Sequence, residues 1–233
     1  MSMVEHSQTK GLLPPLVAGQ ELEQPTFHER YEAMSAQTRA ELVGGVVYMP
    51  SPMKADHGDT SRIVAFWLGH YQWKTPRVKG SDGATVMLDL HGEPQPDHLL
   101  RIPADLGGQT HVEQGYLVGA PELIVEVARS SRNYDLNQKK SDYERAGVCE
   151  YVVVELDPNR IHWFVRRRKR FQILRPGRDG VFRSEIFPGL WLDPEALFTE
   201  DLDQLIAILE HGLTRPDHAE FAAKLIAPRK ASD

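Results

Sequence analysis

The chain has 233 residues, of which 41% are hydrophobic and 26% charged, a composition that suits one globular domain with terminal segments better than two full domains. The net charge of −6 excludes a generally basic nucleic-acid coat protein, although a local basic patch can still bind phosphates. The single cysteine, Cys149, excludes an intrachain disulfide and a multi-cysteine zinc site. The start lacks a signal-peptide pattern, and no apolar run approaches about twenty residues. We therefore expect a cytoplasmic protein with no membrane partner.

The N-terminal third is predicted to contain an arm, a helix, a hairpin and a second helix. Residues 1–24 lack periodicity, which predicts a flexible arm. The stretch "TFHERYEAM" predicts a short helix capped by Thr26, and "AELVGGVVYMPSP" predicts a hairpin that turns at Gly44-Gly45. Asp56 or Asp59 can cap a helix that runs to about Trp73. Its predicted apolar face consists of Ile63, Phe66, Trp67 and Tyr71.

The rest of the chain alternates strand and helix patterns. Strands are predicted at "GATVMLDL", "PDHLLRIP", "ELIVEV" and "EYVVVEL", followed by a hairpin in "RIHWFVRRRKRFQIL". A loop of roughly twenty residues precedes "ELIVEV", which is longer than usual and suggests a function. A helix follows that strand and ends at Gly147. The tail, "EALFTEDLDQLIAILEHGL" and "DHAEFAAKLIA", has helical spacing.

One acid, Glu126, stands inside the apolar strand "ELIVEV". A buried, unpaired carboxylate costs several kcal/mol, so it needs a cation, a metal or a proton. The following helix carries a candidate: at about 100° per residue, Lys139 lies roughly 30° from the centre of the apolar face and Lys140 about 70° from it. We therefore expect Lys139 to point inward and to pair with Glu126. Asp97, which follows a proline before the preceding strand, completes a set that suits Mg²⁺ and phosphodiester cleavage.

The ordered pieces "ELVGG" followed by a histidine, "PD", "GYLVGAPELIVEV", "YDLNQKKSDYERAGVCEYVVV" and "FPGLWLD" extend from about residue 27 to residue 195. In these pieces the sequence resembles the PD-(D/E)XK nuclease superfamily, and more closely its Uma-type family of restriction endonucleases. The resemblance implies an α/β fold with a restriction-endonuclease-like αβββαβ core, a mixed central sheet, an N-terminal hairpin and a C-terminal helical tail. It also implies a nuclease-like domain over 25–195 and a helical extension over 196–233.

The resemblance further assigns roles to particular residues. Asp97 and Glu126 correspond to the metal ligands, for Mg²⁺ or Mn²⁺, with the carbonyl of Val127 as a third oxygen. Ala128 stands where the plain motif has lysine, and the resemblance places the lysine on the next helix, at Lys139. Glu41 corresponds to an early glutamate that assists. The implied activity is metal-dependent hydrolysis of DNA by an in-line attack of water.

Each residue also has a plainer interpretation. Glu126 could reach solvent from a strand end, Asp97 could form a turn after proline, and Lys139 could extend its ammonium into water. Glu41 could be an exposed strand end. His57 matches a family histidine but could equally lie at a helix start, so we leave it out of the catalytic set.

Three functions and two further features remain to be weighed. The nuclease hypothesis stands beside a catalytically silent nucleic-acid-binding or interaction module, favoured by Ala128, and beside hydrolysis of another phosphate ester. A homodimer would suit a restriction-type enzyme that cuts two strands. A basic run at a predicted hairpin turn is either solvated or contacts DNA phosphates. It consists of Arg166, Arg167, Arg168, Lys169 and Arg170.

Overall fold

A computed structural model describes residues 13–35, 37–50, 52–129 and 131–227 of the chain. The helices are α1 Gln24–Glu32, α2 Ala55–Lys74, α3 Arg132–Tyr134, α4 Lys140–Ala146, α5 Pro194–Phe198, α6 Leu202–Leu213 and α7 Pro216–Ile226. A π-helical turn, Asp135–Lys139, joins α3 to α4, and a 3₁₀ turn covers Ala104–Leu106. The strands are β1 Glu41–Val43, β2 Val46–Tyr48, β3 Lys79–Asp82, β4 Val86–Met87, β5 His98–Arg101, β6 His111–Glu113, β7 Tyr116–Val118, β8 Leu123–Ala128, β9 Glu150–Leu156, β10 Asn159–Arg167, β11 Arg170–Leu174, β12 Phe182–Arg183 and β13 Trp191–Leu192.

A six-stranded mixed sheet organises the fold, with the strand order β11-β10-β9-β8-β5-β3. Strands β8 and β9 are parallel, and α3, the π turn and α4 connect them; the other neighbouring pairs are antiparallel. In chain order, α2, β3, β5, β8, α4 and β9 form an αβββαβ core. The predicted fold class is confirmed, including the N-terminal hairpin β1–β2 and the C-terminal helices.

Strand β8 is buried on both faces, and its side chains alternate between two hydrophobic clusters. Val125 and Val127 pack with Trp67 of α2, whereas Ile124 and Ala128 pack with Tyr143 of α4. Glu126 lies between Ile124 and Ala128 in this alternation. Its carboxylate is therefore directed toward the face of the sheet that carries α4.

The N-terminal segment differs from the expected flexible arm over residues 13–24. Leu16 is buried, and the amides of Gly19 and Leu22 donate to the carbonyls of Val47 and Gly45 at 2.8 Å each. This stretch packs along the hairpin because its apolar and backbone groups find partners there. Residues 1–12 of the expected arm lie outside the described residues.

The first strand of the core is not "GATVMLDL" but the polar segment Lys79–Asp82. This edge strand pairs with β5, so the backbone hydrogen bonds of the partner, and not its own side chains, stabilise it. Within the predicted stretch, only Val86–Met87 forms a strand, and it pairs in parallel with β7 in a separate three-stranded sheet.

Two helix starts and one core residue also differ from expectation. Helix α1 begins at Gln24 with Pro25 in its first turn, two residues before the expected cap Thr26. Helix α2 begins at Ala55 after Lys54, without a capping side chain. Phe66 is 49% exposed, because Val64, Trp67, Leu68 and Tyr71 form the buried face instead.

The C-terminal helices cover the α2 side of the sheet. Leu205, Leu209 and Leu225 belong to the same hydrophobic cluster as Trp67 and Val125. The described part of the predicted extension 196–233 therefore shares the main core, and the domain boundary near residue 195 stays a prediction. Within the described ranges, no helix is both long enough and apolar enough to cross a membrane.

Candidate active site

The pairing of β5 with β8 brings two carboxylates face to face. His98 is paired with Val125, so one further step of the antiparallel register places Asp97 opposite Glu126. The amide of Asp97 donates to Glu126 Oε2 at 3.3 Å, and the amide of Val127 donates to Asp97 Oδ2 at 2.8 Å. Like charges directly opposite each other destabilise a sheet. This position therefore requires compensating positive charge.

Lys139 provides part of that charge from the π-helical turn. Its amine donates to Glu126 Oε1 at 2.9 Å and to Glu41 Oε1 at 3.1 Å, and the residue is only 5% exposed. The structure thus confirms the inward direction of Lys139 and its contact with Glu126. A π turn inside a helix frequently marks a functional site.

Glu41 enters the site from strand β1 of the N-terminal hairpin. Its Oε1 also accepts a hydrogen bond of 2.7 Å from the amide of Gln95, which lies two residues before Asp97. With 7% exposure, Glu41 is not the exposed strand end of its plainer interpretation. One lysine therefore bridges the hairpin to the central sheet through two buried carboxylates.

Burial and nearby charges determine the protonation of Lys139 and of the side chains that contact it. Burial alone would lower the pKa of Lys139, but the carboxylates of Glu126, Glu41 and Asp135 outweigh it and hold the pKa well above its ordinary value. Burial raises the pKa of Glu126 well above its ordinary value, and Lys139 opposes this. Tyr143, whose pKa burial also raises, keeps its proton and donates to Glu126 Oε1 at 2.8 Å.

A second pair lies on the more open side of the site. His57 of α2 lies with Nε2 at 3.3 Å from Asp97 Oδ2, and the hydrogen bond to Asp97 raises the pKa of His57. Burial would raise the pKa of Asp97, but the hydrogen bonds from His57 and the amide of Val127 lower it. The Asp97 side chain is 23% exposed and the His57 side chain 17%. This pair therefore marks the accessible edge of the site.

Asp135 adds a further acid to the same region. It is 2% exposed, burial raises its pKa to about 6, and its Oδ2 has no hydrogen-bond partner among the described residues. The site thus gathers four carboxylates around one lysine and one histidine, and this excess negative charge favours a bound cation or retained protons. The four are Asp97, Glu126, Glu41 and Asp135.

The donor set fits a hard divalent cation. In the part of the chain that the structure describes, no group of three or more His, Cys, Asp or Glu side chains is arranged to hold a metal ion alone. Mg²⁺, however, commonly uses one or two protein carboxylates and keeps several waters. Asp97 and Glu126 supply two such carboxylates, and Asp97 is partly open to solvent. The role of the Val127 carbonyl stays a prediction.

The comparisons with known proteins concern the family and the fold. The family described as "Uma2: Putative restriction endonuclease" matches residues 25–195 of the chain. The chain belongs to the Uma2 family. A solved structure similar in fold is "a putative nuclease belonging to DUF820 from Anabaena variabilis ATCC 29413", with a TM-score of 0.56 and 11% identity, covering 73% of this chain and 96% of that one. No curated protein matches the chain.

In this member of the Uma2 family, Ala128 stands where the resemblance to the nuclease motif predicts a lysine. Ala128 is fully buried beneath α4 in the cluster that contains Tyr143. Lys139, from the helical segment above the same sheet face, contacts Glu126 instead. The structure therefore brings together Asp97, Glu126, Lys139 and Glu41, while their catalytic roles stay predictions.

The structure does not bring the basic run to this site. In the sheet, Glu126 is paired with Val153, which in turn is paired with His162 of β10. Arg167 lies five residues beyond His162 along β10, which corresponds to about 17 Å along the strand. Arg170 Nη1 donates to Glu144 Oε1 at 2.9 Å, and Arg167 pairs with Glu185. The remaining members are Arg166, which donates to the carbonyl of Glu144, and Arg168 and Lys169, which form the turn with positive φ. DNA contact by this turn stays a prediction.

Sequence reasoning missed two functional candidates of this Uma2 site. Asp135 precedes Lys139 by four residues, a spacing that favours an ion pair on a helix and could have singled it out. His57 matches a family histidine, but its sequence pattern alone does not place it in the catalytic set. Only its contact with Asp97 distinguishes it from an ordinary residue in the first turn of a helix.

Proposed function

We propose that this protein is a metal-dependent endonuclease that hydrolyses DNA phosphodiester bonds. The observation that carries the proposal is the Lys139 amine, held between Glu126 and Glu41 beside Asp97. A buried ammonium next to two opposed carboxylates is the minimum that such hydrolysis needs: a cation site and a fixed positive charge. Membership of the Uma2 family supports nucleic acid as the substrate.

The residues of the chain divide the chemistry among them. Lys139 keeps its proton, so it acts as a fixed cation that hydrogen-bonds an attacking water or a phosphate oxygen, and not as a general base. Glu41 and Tyr143 hold Lys139 and Glu126 in place. Asp97 and Glu126 would bind Mg²⁺ or Mn²⁺, which when bound neutralises phosphate charge and acidifies water.

The test is nicking of supercoiled DNA by the purified protein with Mg²⁺ or Mn²⁺. Asp97→Asn, Glu126→Gln and Lys139→Ala should each reduce the rate at least about a hundredfold, because each removes electrostatic stabilisation of the transition state. Glu41→Gln should reduce it less. Lys224→Ala, which removes an exposed lysine paired with Glu220, is the control for charge and should leave nicking unchanged.

Nicking that persists in all three site variants would place the activity elsewhere or in a contaminant. Calorimetric titration with Mn²⁺ gives a second readout. The wild type should bind the ion, and Asp97→Asn together with Glu126→Gln should abolish that binding. We also propose a homodimer, since two copies can cut opposite strands; sedimentation with and without DNA measures it.

The alternative is a catalytically silent module that binds nucleic acid. The observations that favour it are Ala128 at the motif position and the lack of a three-ligand set in the described ranges. A silent module would bind DNA without nicking it, and Mn²⁺ would not bind through Asp97 and Glu126. The two titrations together therefore separate the two functions.

A further inference from the structure

A groove of about 510 Å³ lies between the hairpin β1–β2 and the helical segment 132–146. Val43, Val46 and Leu136 are among its apolar lining residues, and Tyr48 also borders it. The polar side is formed by one face of the helical segment. The residues it presents there are Asn137, Gln138, Lys140 and Ser141.

The groove adjoins the candidate active site through the hairpin and the helical segment. Tyr48 is paired with Glu41 across the hairpin, and Glu41 accepts a hydrogen bond from Lys139. The Tyr48 ring lies 4.3 Å from the ring of Tyr134, over which the Lys139 amine lies at 5.5 Å. A base stacked on Tyr48 would therefore be separated from the Lys139 amine by two tyrosine rings.

The charge of the groove differs from that of the whole protein, which has a net charge of −6. Its one acidic lining residue, Asp142, is 1% exposed and is paired with Arg145. Lys140 has no salt bridge within the described ranges, although its charge helps to lower the pKa of Glu144, and its amine lies 4.3 Å from the centroid of the Phe164 ring. Asn137, Gln138 and Ser141 are exposed and neutral. The accessible side of the groove is thus neutral to basic.

These groups match the three parts of a nucleotide. Aromatic rings stack on bases, carboxamides pair with base edges, and lysines bind phosphates. The volume also falls within the range of about 300–1,000 Å³ that is usual for small-ligand sites.

We propose that this groove binds a nucleotide next to the scissile phosphate, with the base on Tyr48, its edge on Asn137 or Gln138 and its phosphate on Lys140. This inference rests on the proposed nuclease function for the identity of the ligand, a DNA strand. It adds a subsite that lies beside Asp97, Glu126 and Lys139 and shares no residue with them. The groove therefore contributes binding and base preference, and no step of the hydrolysis.

The test measures binding of a short fluorescent DNA, single-stranded and duplex, by anisotropy with Ca²⁺ in place of Mg²⁺. Tyr48→Leu should weaken binding about tenfold, as expected for one lost base stack, while Tyr48→Phe keeps the ring and should bind like the wild type. Lys140→Ala should weaken binding and lower the slope of log affinity against log salt by about one.

Base preference gives an independent readout for the carboxamides. In a binding selection from a randomised DNA pool, the Asn137→Ala/Gln138→Ala variant should lose the base preference of the wild type at one position beside the cleavage site. Gln204→Ala removes a carboxamide from α6, which packs on the other face of the sheet, and is the matched control. Urea midpoints of all variants verify that each one is folded.

The outcomes for the groove and for the nuclease can be told apart. If the wild type nicks DNA and the groove variants bind and select DNA as it does, the groove proposal is overturned while the nuclease stands. If the groove variants lose DNA binding but the wild type never nicks, nucleotide binding by the groove stands, while the nuclease and the place of the groove beside a scissile phosphate fail. Absence of DNA binding by the folded wild type overturns the groove proposal.

Discussion

Glu126 is accommodated inside an apolar strand because three neighbouring groups form hydrogen bonds with its carboxylate. Lys139 and Tyr143 donate to Oε1, and the amide of Asp97 donates to Oε2. A buried ion pair is tolerated when its remaining hydrogen-bonding capacity is used, whereas removing one partner leaves an uncompensated charge. The energetic consequence at this scale is strong coupling between Lys139 and Glu126.

We expect Lys139→Met to lower the free energy of unfolding by about 3–5 kcal/mol, because it leaves the buried carboxylates of Glu126 and Glu41 without a cationic partner. The double variant with Glu126→Gln should cost less than the sum of the two single variants, with a coupling of about 1–3 kcal/mol. Urea unfolding in EDTA at pH 8 measures all four states of the cycle.

The control for this cycle is Lys224→Ala at an exposed pair, which should change the free energy of unfolding by less than about 0.5 kcal/mol. Simple additivity of Lys139→Met and Glu126→Gln would show that the two side chains do not interact, contrary to the contact of 2.9 Å.

At the scale of elements, the end of α4 sets the point at which the chain turns into β9. Gly147 ends this helix with φ of +104°, a left-handed conformation that side chains with a Cβ rarely adopt. Its amide donates to the carbonyl of Tyr143 at 3.1 Å. The helix therefore stops where the chain must turn into β9.

Gly147→Ala should destabilise the protein by about 1–2 kcal/mol through backbone conformation alone. A Cβ at this position would meet only Gln109 Oε1 at 3.9 Å, so no steric clash adds to the cost. Gly69→Ala is the matched control, since Gly69 lies within α2 with open space around it. That change should stabilise the protein by about 0.5–1 kcal/mol.

The two glycine variants should therefore shift the urea midpoint in opposite directions. Gly147→Asn should retain more stability than Gly147→Ala, because asparagine tolerates the left-handed region better. Equal midpoints for wild type and Gly147→Ala would contradict the assigned helix end.

At the scale of the whole molecule, several buried acids among the described residues have raised pKa values. Burial raises the pKa of Glu150 to about 7 even though Ser184, Trp163 and two backbone amides donate to its carboxylate. Burial likewise raises the pKa of Asp135 and of Asp142 to about 6. Such groups hold protons in the folded chain that the unfolded chain has already released.

Stability should therefore fall as pH rises between 5.5 and 8 in EDTA. A folded pKa above the unfolded value means that the native state binds more protons in this window, so the slope of unfolding free energy against pH is negative. The raised pKa of His57 acts in the same direction. Glu150 alone should contribute about 2 kcal/mol.

Urea midpoints across this pH range measure the slope, and Glu150→Gln should make it shallower because the glutamine does not titrate. Its absolute stability is expected to fall, since an amide nitrogen would face one of the donors that surround the carboxylate. A urea midpoint that rises toward pH 8 in the wild type would contradict the raised pKa values of these buried acids.

The sequence by itself determined the parts of the fold that depend on local pattern. The apolar runs predicted β8 and β9, Gly-Gly predicted the hairpin turn, and Gly147 predicted the end of α4. Periodicity predicted that Lys139 points inward, although residues Asp135–Lys139 form a π turn and not the regular α-helix that a spacing of about 100° per residue assumes. The family resemblance then added Asp97 and Glu41 as partners.

Tertiary structure alone decided what lies opposite each of these residues. Lys79–Asp82 has no strand-forming side chains and becomes a strand only because β5 offers a free edge. Strand register places Asp97 against Glu126, helix packing brings His57 to Asp97, and the same sheet keeps the basic turn far from them. Pairing between distant segments depends on their relative placement in space, and no local pattern along one segment encodes that placement.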